Sequence, residues 1–148
     1  MVALLINDKD ASKNEAIRKV RIPLADFQLL DGEGRARFIV TELSRNLAAG
    51  PRGGVDTFET LLKCIGLSGS TDAETKKAIW EAQHVRNVIV HRRSIADRHF
   101  VDSCPWLGLK PGDKVVVSSD SLLRYATAFR QYLILLEGRL KARYSSSK

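Results

Sequence analysis

The sequence predicts an all-α fold: a bundle of four to five helices, with one short strand or hairpin before the last helix. Three observations carry that expectation. Leu122, Ala126, Phe129, Leu133, Leu136 and Leu140 step by four, three, four, three and four, which makes an amphipathic helix with a near-heptad seam. Ile39, Leu43 and Leu47 recur at intervals of four and give an earlier stretch one apolar face. Between them, Thr71-Asp72-Ala73-Glu74 has the spacing of a capping box.

In chain order, the first dozen residues read equally as an edge strand, a docked arm or the remnant of a longer upstream region. A helix is expected from about Ser12 to Arg21, stopping near Pro23. Asp31-Gly32-Glu33-Gly34 reads as a turn, followed by a helix from Arg35 to Ala49 that Gly50-Pro51 closes. A short helix follows over Asp56 to Ile65, with Phe58, Leu61, Leu62 and Ile65 as its buried side. Gly50-Pro51-Arg52-Gly53-Gly54 lacks the Lys-Ser/Thr and the preceding strand of a phosphate loop, so it reads as a plain loop. After the Ser68-Gly69-Ser70 loop, the capping box opens a helix over Asp72 to Arg92. In it the Thr71 hydroxyl takes a free amide and Glu74 reaches back. Cys104-Pro105-Trp106-Leu107-Gly108 is irregular, with Trp106 anchoring the loop to the core. Lys110-Pro111-Gly112-Asp113 is a turn into a short strand over Lys114 to Val117. The last helix is read as a core helix first and as a contributor to a dimer seam second. Residues 1–148 are taken as one domain, with 1–11 as the arm or edge strand and Ser145 to Lys148 as a frayed tail.

Composition narrows the class. The chain has 148 residues, 44% of them apolar, and carries a net charge of +7, so it can bury a core without disulfides and it favours acidic partners. Those partners are nucleic acid, nucleotide, anionic lipid or an acidic protein; the alternative is charge for solubility alone. Cys64 and Cys104 form no CxxC pair and no zinc spacing with the three histidines, which fits a reducing compartment and gives no metal or cofactor site. The apolar stretch at Met1 to Ile6 is met at once by Asp8 and Asp10, unlike a signal peptide, and no apolar run approaches the ~20 residues of a membrane helix. A cytoplasmic location without membrane association is the expectation.

The chemistry concentrates on the helix over Asp72 to Arg92. With Ile79 as origin and ~100° per residue, Val85, Ala82, Ile89 and Val90 form a broad apolar arc that also contains Arg86. An arginine on an apolar stripe is expensive unless it is paired or reaches an anion. Trp80, His84, Asn87 and His91 cluster on another side, and Asn87 and His91 are i,i+4 neighbours. Arg86 and His91 lie ~140° apart around the axis, so a shared site needs a crevice along the helix or two copies meeting.

Arg86, Asn87 and His91 resemble the motif of HEPN domains: an Arg, four to six residues, then His, with a polar residue after the Arg. The exit Arg92-Arg93-Ser94-Ile95-Ala96-Asp97 is similar to that family's, as is the later stretch from Trp106 to Asp113. The resemblance covers roughly Thr71 to Tyr144, about half of the chain. It implies a small helical bundle that dimerises and a metal-independent endoribonuclease that acts as a toxin or antiphage-defence effector, with Arg86 and His91 at a site on the dimer interface. An antitoxin or regulatory protein is an implied partner. In that reading His91 serves as acid or base, since imidazole titrates near neutrality. Arg86 grips the phosphate bidentately and Asn87 positions one of its oxygens. Arg92, Arg93 and Arg98 would bind flanking RNA phosphates. Some family members carry a modified tyrosine two residues after the His; Arg93 stands there, so that regulation is not implied here.

Plainer readings stand beside these. His84 is structural or supports the site, and His99 has no evident role. Trp80 packs or stacks on a base. Asp97 caps the segment after His91 or binds Arg98, Arg92 and Arg93 are solvated charge at a helix end, and Lys76 and Lys77 are solvent face. The alternatives to a nuclease are a catalytically silent HEPN-like module that dimerises and binds RNA, nucleotide or protein, and a helical domain that meets an acidic partner.

Overall fold

The computed structural model describes residues 15–47 and 53–145. These residues are predominantly helical and gather into two compact units, one within residues 1–52 and 56–70, the other residues 53–55 with 71–148. The expected arm at 1–11, the helix start at Ser12, the Gly50-Pro51 stop and the tail at 146–148 lie outside the described residues. Ser145 itself closes the last helix.

In the first unit, α1 (Glu15–Arg18) and α2 (Leu24–Gln28) precede α3 (Gly32–Leu47). The expected turn at Asp31 to Gly34 is instead the opening of α3. The Asp31 carboxylate accepts from the Gly34 amide at 2.7 Å, so the residues of a turn satisfy the free amides of a helix. The helix α4 (Gly54–Lys63) follows, and Leu43, Leu61 and Cys64 form a buried cluster against Ile17, Val20 and Ile39. Leu43 thus buries fully and Ile39 in part, on the face their spacing predicts. Phe58, expected inside, is 50% exposed, while Leu61 and Ile65 are buried.

In the second unit, α5 (Ala73–His91) and the 27-residue α7 (Ser119–Ser145) are the two long elements. The cap of α5 is Asp72, whose carboxylate accepts from the Thr75 amide at 2.8 Å; the Thr71 hydroxyl oxygen is buried and unbonded. That corrects the capping box by one residue. The Thr75 amide and hydroxyl hold the Asp72 carboxyl below its ordinary range. Asp72→Ala is expected to lower the melting temperature through loss of this cap, and Asp72→Asn, which keeps an acceptor for the Thr75 amide, to lower it less.

The first half of α5 packs on α7, with Val55, Ala78, Ile79, Ala128 and Tyr132 in one cluster. Its second half packs on the segment after it: Val85 and Val88 meet Ala96, Phe100, Cys104 and Val115. The chain reverses after His91 through two left-handed residues, Arg93 (φ 53°) and Ser94 (φ 63°), then forms α6 (Arg98–Ser103) and a 3-10 turn at Pro105–Leu107. No strand forms over Lys114 to Val117. Ile95 and Lys114 make a single antiparallel bridge, with the Ala96 amide donating to the Asp113 carbonyl and the Val115 amide to the Ser94 carbonyl, both at 2.8 Å. The left-handed Ser94 on one side and Gly112 (φ 98°) on the other leave too little extended chain for a ladder.

The buried face of α7 also differs from the expected seam. Tyr125, Ala128 and Tyr132 are buried, whereas Leu122, Phe129 and Leu133 are exposed. The helix therefore serves the core with Tyr125, Ala128 and Tyr132, and of the expected seam only Leu136 packs against that core, while Leu122, Phe129 and Leu133 stay in solvent.

A buried carboxylate ties this unit together. Glu81 is 1% exposed and accepts from Trp106 Nε1 and from the Tyr125 hydroxyl, both at 2.6 Å, and from Arg124. Burial pushes its pKa up, but the bonds from Tyr125, Trp106 and Arg124 outweigh burial and hold it below the usual carboxylate range. Trp106 thus anchors its loop as expected, though through a hydrogen bond; its ring is 42% exposed and carries Lys77 Nζ at 4.9 Å.

Both cysteines are free and buried. Burial raises the Cys64 thiol, and burial together with the charge of Glu81 pushes Cys104 up to about 12. Neither forms much thiolate at neutral pH. The native protein is expected to be inert to a thiol reagent and to release two reactive groups on unfolding; rapid native labelling of Cys104 would contradict this.

Candidate functional site

The site begins with the last two turns of α5. Arg86, Ile89, Val90 and His91 are exposed there, and Asn87 is half-buried. The expected apolar arc does not hold along the whole helix. Its inner stripe shifts from Ala78 and Ile79, facing α7, to Val85 and Val88, facing the segment after the helix. That shift puts Arg86 in solvent and removes the apparent burial of its charge.

The guanidinium crosses the angular gap that backbone geometry sets between positions 86 and 91. Arg86 Nη1 donates to Asn87 Oδ1 at 3.2 Å and lies 3.4 Å from His91 Nε2. Arg86, Asn87 and His91 therefore meet within one chain, without a second copy. A guanidinium N–H only donates, so this contact is a hydrogen bond when Nε2 carries the lone pair.

Beside this trio lies a hollow of about 500 Å³. From α5, His84, Asn87, Val88 and His91 line it, and from the segment after the helix Arg92, Asp97, His99 and Phe100. The left-handed Arg93 and Ser94 bring these two groups of residues together. Each such non-glycine residue stores about 1–3 kcal/mol of backbone strain. Asp97 fixes the second wall: its carboxylate caps α6 through the Phe100 amide at 2.8 Å and pairs with Arg92 Nε at 3.3 Å. It pairs with Arg92, not with Arg98, as one sequence reading had it.

Three rings form a row at the edge of the hollow. Trp80 and His84 have centroids 4.5 Å apart, and His84 and His99 5.5 Å apart. Trp80 is held as a structural residue by its Nε1–H bond to the Ser103 carbonyl at 2.9 Å. Burial, and then repulsion from His99, lower the pKa of His84. As pH falls below the ordinary histidine value, the unfolded chain takes up that proton first, so His84 removes stability on acidification.

Of the residues the sequence singled out, Arg86, Asn87, His91 and Arg92 gather at one place. Arg93 and Arg98 are exposed nearby in sequence but are not part of the lining. Sequence reasoning missed His99, although His84 and His91 one heptad apart on a helix, followed by a third histidine just past a reversal, carried a faint signal. Among the described residues, no group of three His, Cys, Asp or Glu side chains is arranged to hold a metal ion, and no helix is long and apolar enough to cross a membrane. Comparison with family models, with curated proteins and with solved structures finds no match.

Proposed function

We propose that this chain is a HEPN-type, metal-independent endoribonuclease, a toxin or antiphage-defence effector, with Arg86, Asn87 and His91 as its reaction centre. The observation that carries the reading is the Arg86 guanidinium held between Asn87 Oδ1 and His91 Nε2. This puts a rigid phosphate-binding fork within reach of a base. His91 Nε2 takes the proton of an RNA 2′-hydroxyl, whose oxygen attacks the adjacent phosphorus. The bond to the 5′-oxygen breaks, and that oxygen leaves as a hydroxyl after taking a proton from solvent or from a second acid. Arg86 offsets the charge that grows on the non-bridging oxygens. The exposed Arg92, Arg93 and Arg98 and the net charge of +7 suit an RNA backbone.

The test is cleavage of a mixed RNA by purified protein in excess EDTA. The expected products carry 2′,3′-cyclic phosphate and 5′-hydroxyl ends. No cleavage by folded protein overturns the nuclease reading and favours a silent binding module.

The proposal includes a second copy of the chain as partner. Ile89 and Val90 are exposed one turn from Arg86, and on α7 exposed Leu122, Ala126, Phe129 and Leu133 keep the four-three-four spacing that a second helix reads. Light scattering is expected to give a dimer mass for the wild type and a monomer mass for Leu133→Lys. A monomeric wild type at micromolar concentration removes the partner.

A further inference from the structure

The phosphate chemistry assigned to Arg86 and His91 leaves most of the neighbouring hollow unused. Its size, about 500 Å³, lies in the range of small-ligand sites and far exceeds what a phosphate group fills. Its walls combine buried apolar residues, Val88 and Phe100, with two imidazole rings that extend the row from Trp80. We propose that this hollow is a nucleobase subsite, in which the rings of His84 and His99 hold the base of the nucleotide whose phosphate sits at Arg86 and His91.

The inference rests on the reading of the trio as a phosphate site, and it adds the part of the substrate that the trio does not touch. Aromatic rings beside a basic group are the arrangement by which proteins hold an unstacked base next to its phosphate, and here the rings of His84 and His99 are tilted 38° to one another. The row is rigid where it must be. Trp80 is fixed by its bond to Ser103, and its ring backs His84. Gly53 sits so close to the Trp80 ring that an added Cβ would lie 2.7 Å from Cζ3, so Trp80 is closely confined on that side as well. Burial favours the uncharged form of His84, which suits stacking. His99 is exposed, so it can meet a ligand without rearrangement of the core. Asn87 and Asp97 border the same hollow and bring an amide and a carboxylate to the edge of a bound base.

The experiment compares adenosine 5′-monophosphate with ribose 5-phosphate, two probes that differ only by the base. Calorimetric titrations are run on the wild type and on the His99→Ala, His99→Phe and Arg86→Ala proteins. The expected result is that the nucleotide binds wild type about ten-fold tighter than the sugar phosphate, as one stacked base provides. His99→Ala should remove that advantage and His99→Phe should keep it. Arg86→Ala should weaken both probes alike. Equal affinity of the two probes for wild type, or an advantage that survives His99→Ala, overturns the subsite. If ribose 5-phosphate binding still depends on Arg86 in that case, the phosphate reading stands without the base. If the base advantage persists but neither probe responds to Arg86→Ala, the subsite survives as a base pocket and the phosphate reading fails.

Discussion

Glu81→Ala is expected to produce a large loss of stability in the second unit. The buried carboxylate receives Trp106, Tyr125 and Arg124. Truncating it strands the indole N–H and the phenol, at about 1–3 kcal/mol for each donor left unpaired, while Arg124, whose side chain is 44% exposed, keeps its contact with water. For a domain of this size the loss lowers Tm on the order of 10 °C. Tyr125→Phe removes one bond and should cost about 1 kcal/mol. Glu81→Gln keeps the shape and loses the charge, so it should fall between them. The same group contributes to the loss of stability in acid. Its native pKa lies below the unfolded value, so its contribution is complete above the unfolded pKa of about 4.3 and is lost as pH falls through the native one. The wild type should therefore lose stability faster below pH 4 than Glu81→Gln does. Parallel curves for the two proteins would show that the carboxylate carries no such linkage.

Under the nuclease proposal, His91→Ala should lower the cleavage rate by about 10²–10⁴-fold, the usual contribution of a positioned acid or base. Arg86→Ala should cost about 10²–10³-fold through lost charge stabilisation. Arg86→Lys should rescue little, because an ammonium cannot bridge Asn87 Oδ1 and a phosphate as a planar fork does. Since Arg86 and His91 act on the same phosphate, the double variant should be scarcely worse than the poorer single one. All these side chains are exposed or half-buried, so melting temperatures should stay near that of the wild type. Additive losses, or loss of fold in either single variant, would place the pair outside the chemistry. The exposed setting gives these substitutions an advantage over Glu81 as tests, since activity and folding separate.

The site was legible in part. Residue type and spacing singled out Arg86, Asn87 and His91, and the side chains do meet. The ~140° between Arg86 and His91 was read from Cβ directions as calling for a crevice along the helix or two copies meeting, whereas an arginine side chain is long enough to span it. His99 was not legible, because its position depends on a reversal through Arg93 and Ser94, residues with no left-handed preference of their own. Glu81 was illegible for a related reason. On a helical wheel it falls between Val88 and Val85 at the edge of the apolar arc, where a carboxylate gives no sign of its partners, and it is buried by a loop and a helix that come 25 and 44 positions later.

Local chemistry therefore determined the helical class, the extent of α5 and α7 to within a few residues, and the start of α5, whose exact cap needed geometry. Those features depend on backbone hydrogen bonds and on side chains within one or two turns, so they are written in short stretches of sequence. Tertiary structure decided which face of each helix is inside. One helix can pack on two different partners along its length, as α5 does on α7 and then on the segment at 96–115. A single periodic stripe cannot encode that change of partner. It was the change of partner that released Arg86 to solvent, and a loop and a helix from later in the chain that buried Glu81, because burial follows from what a residue meets in space and not from its own periodicity.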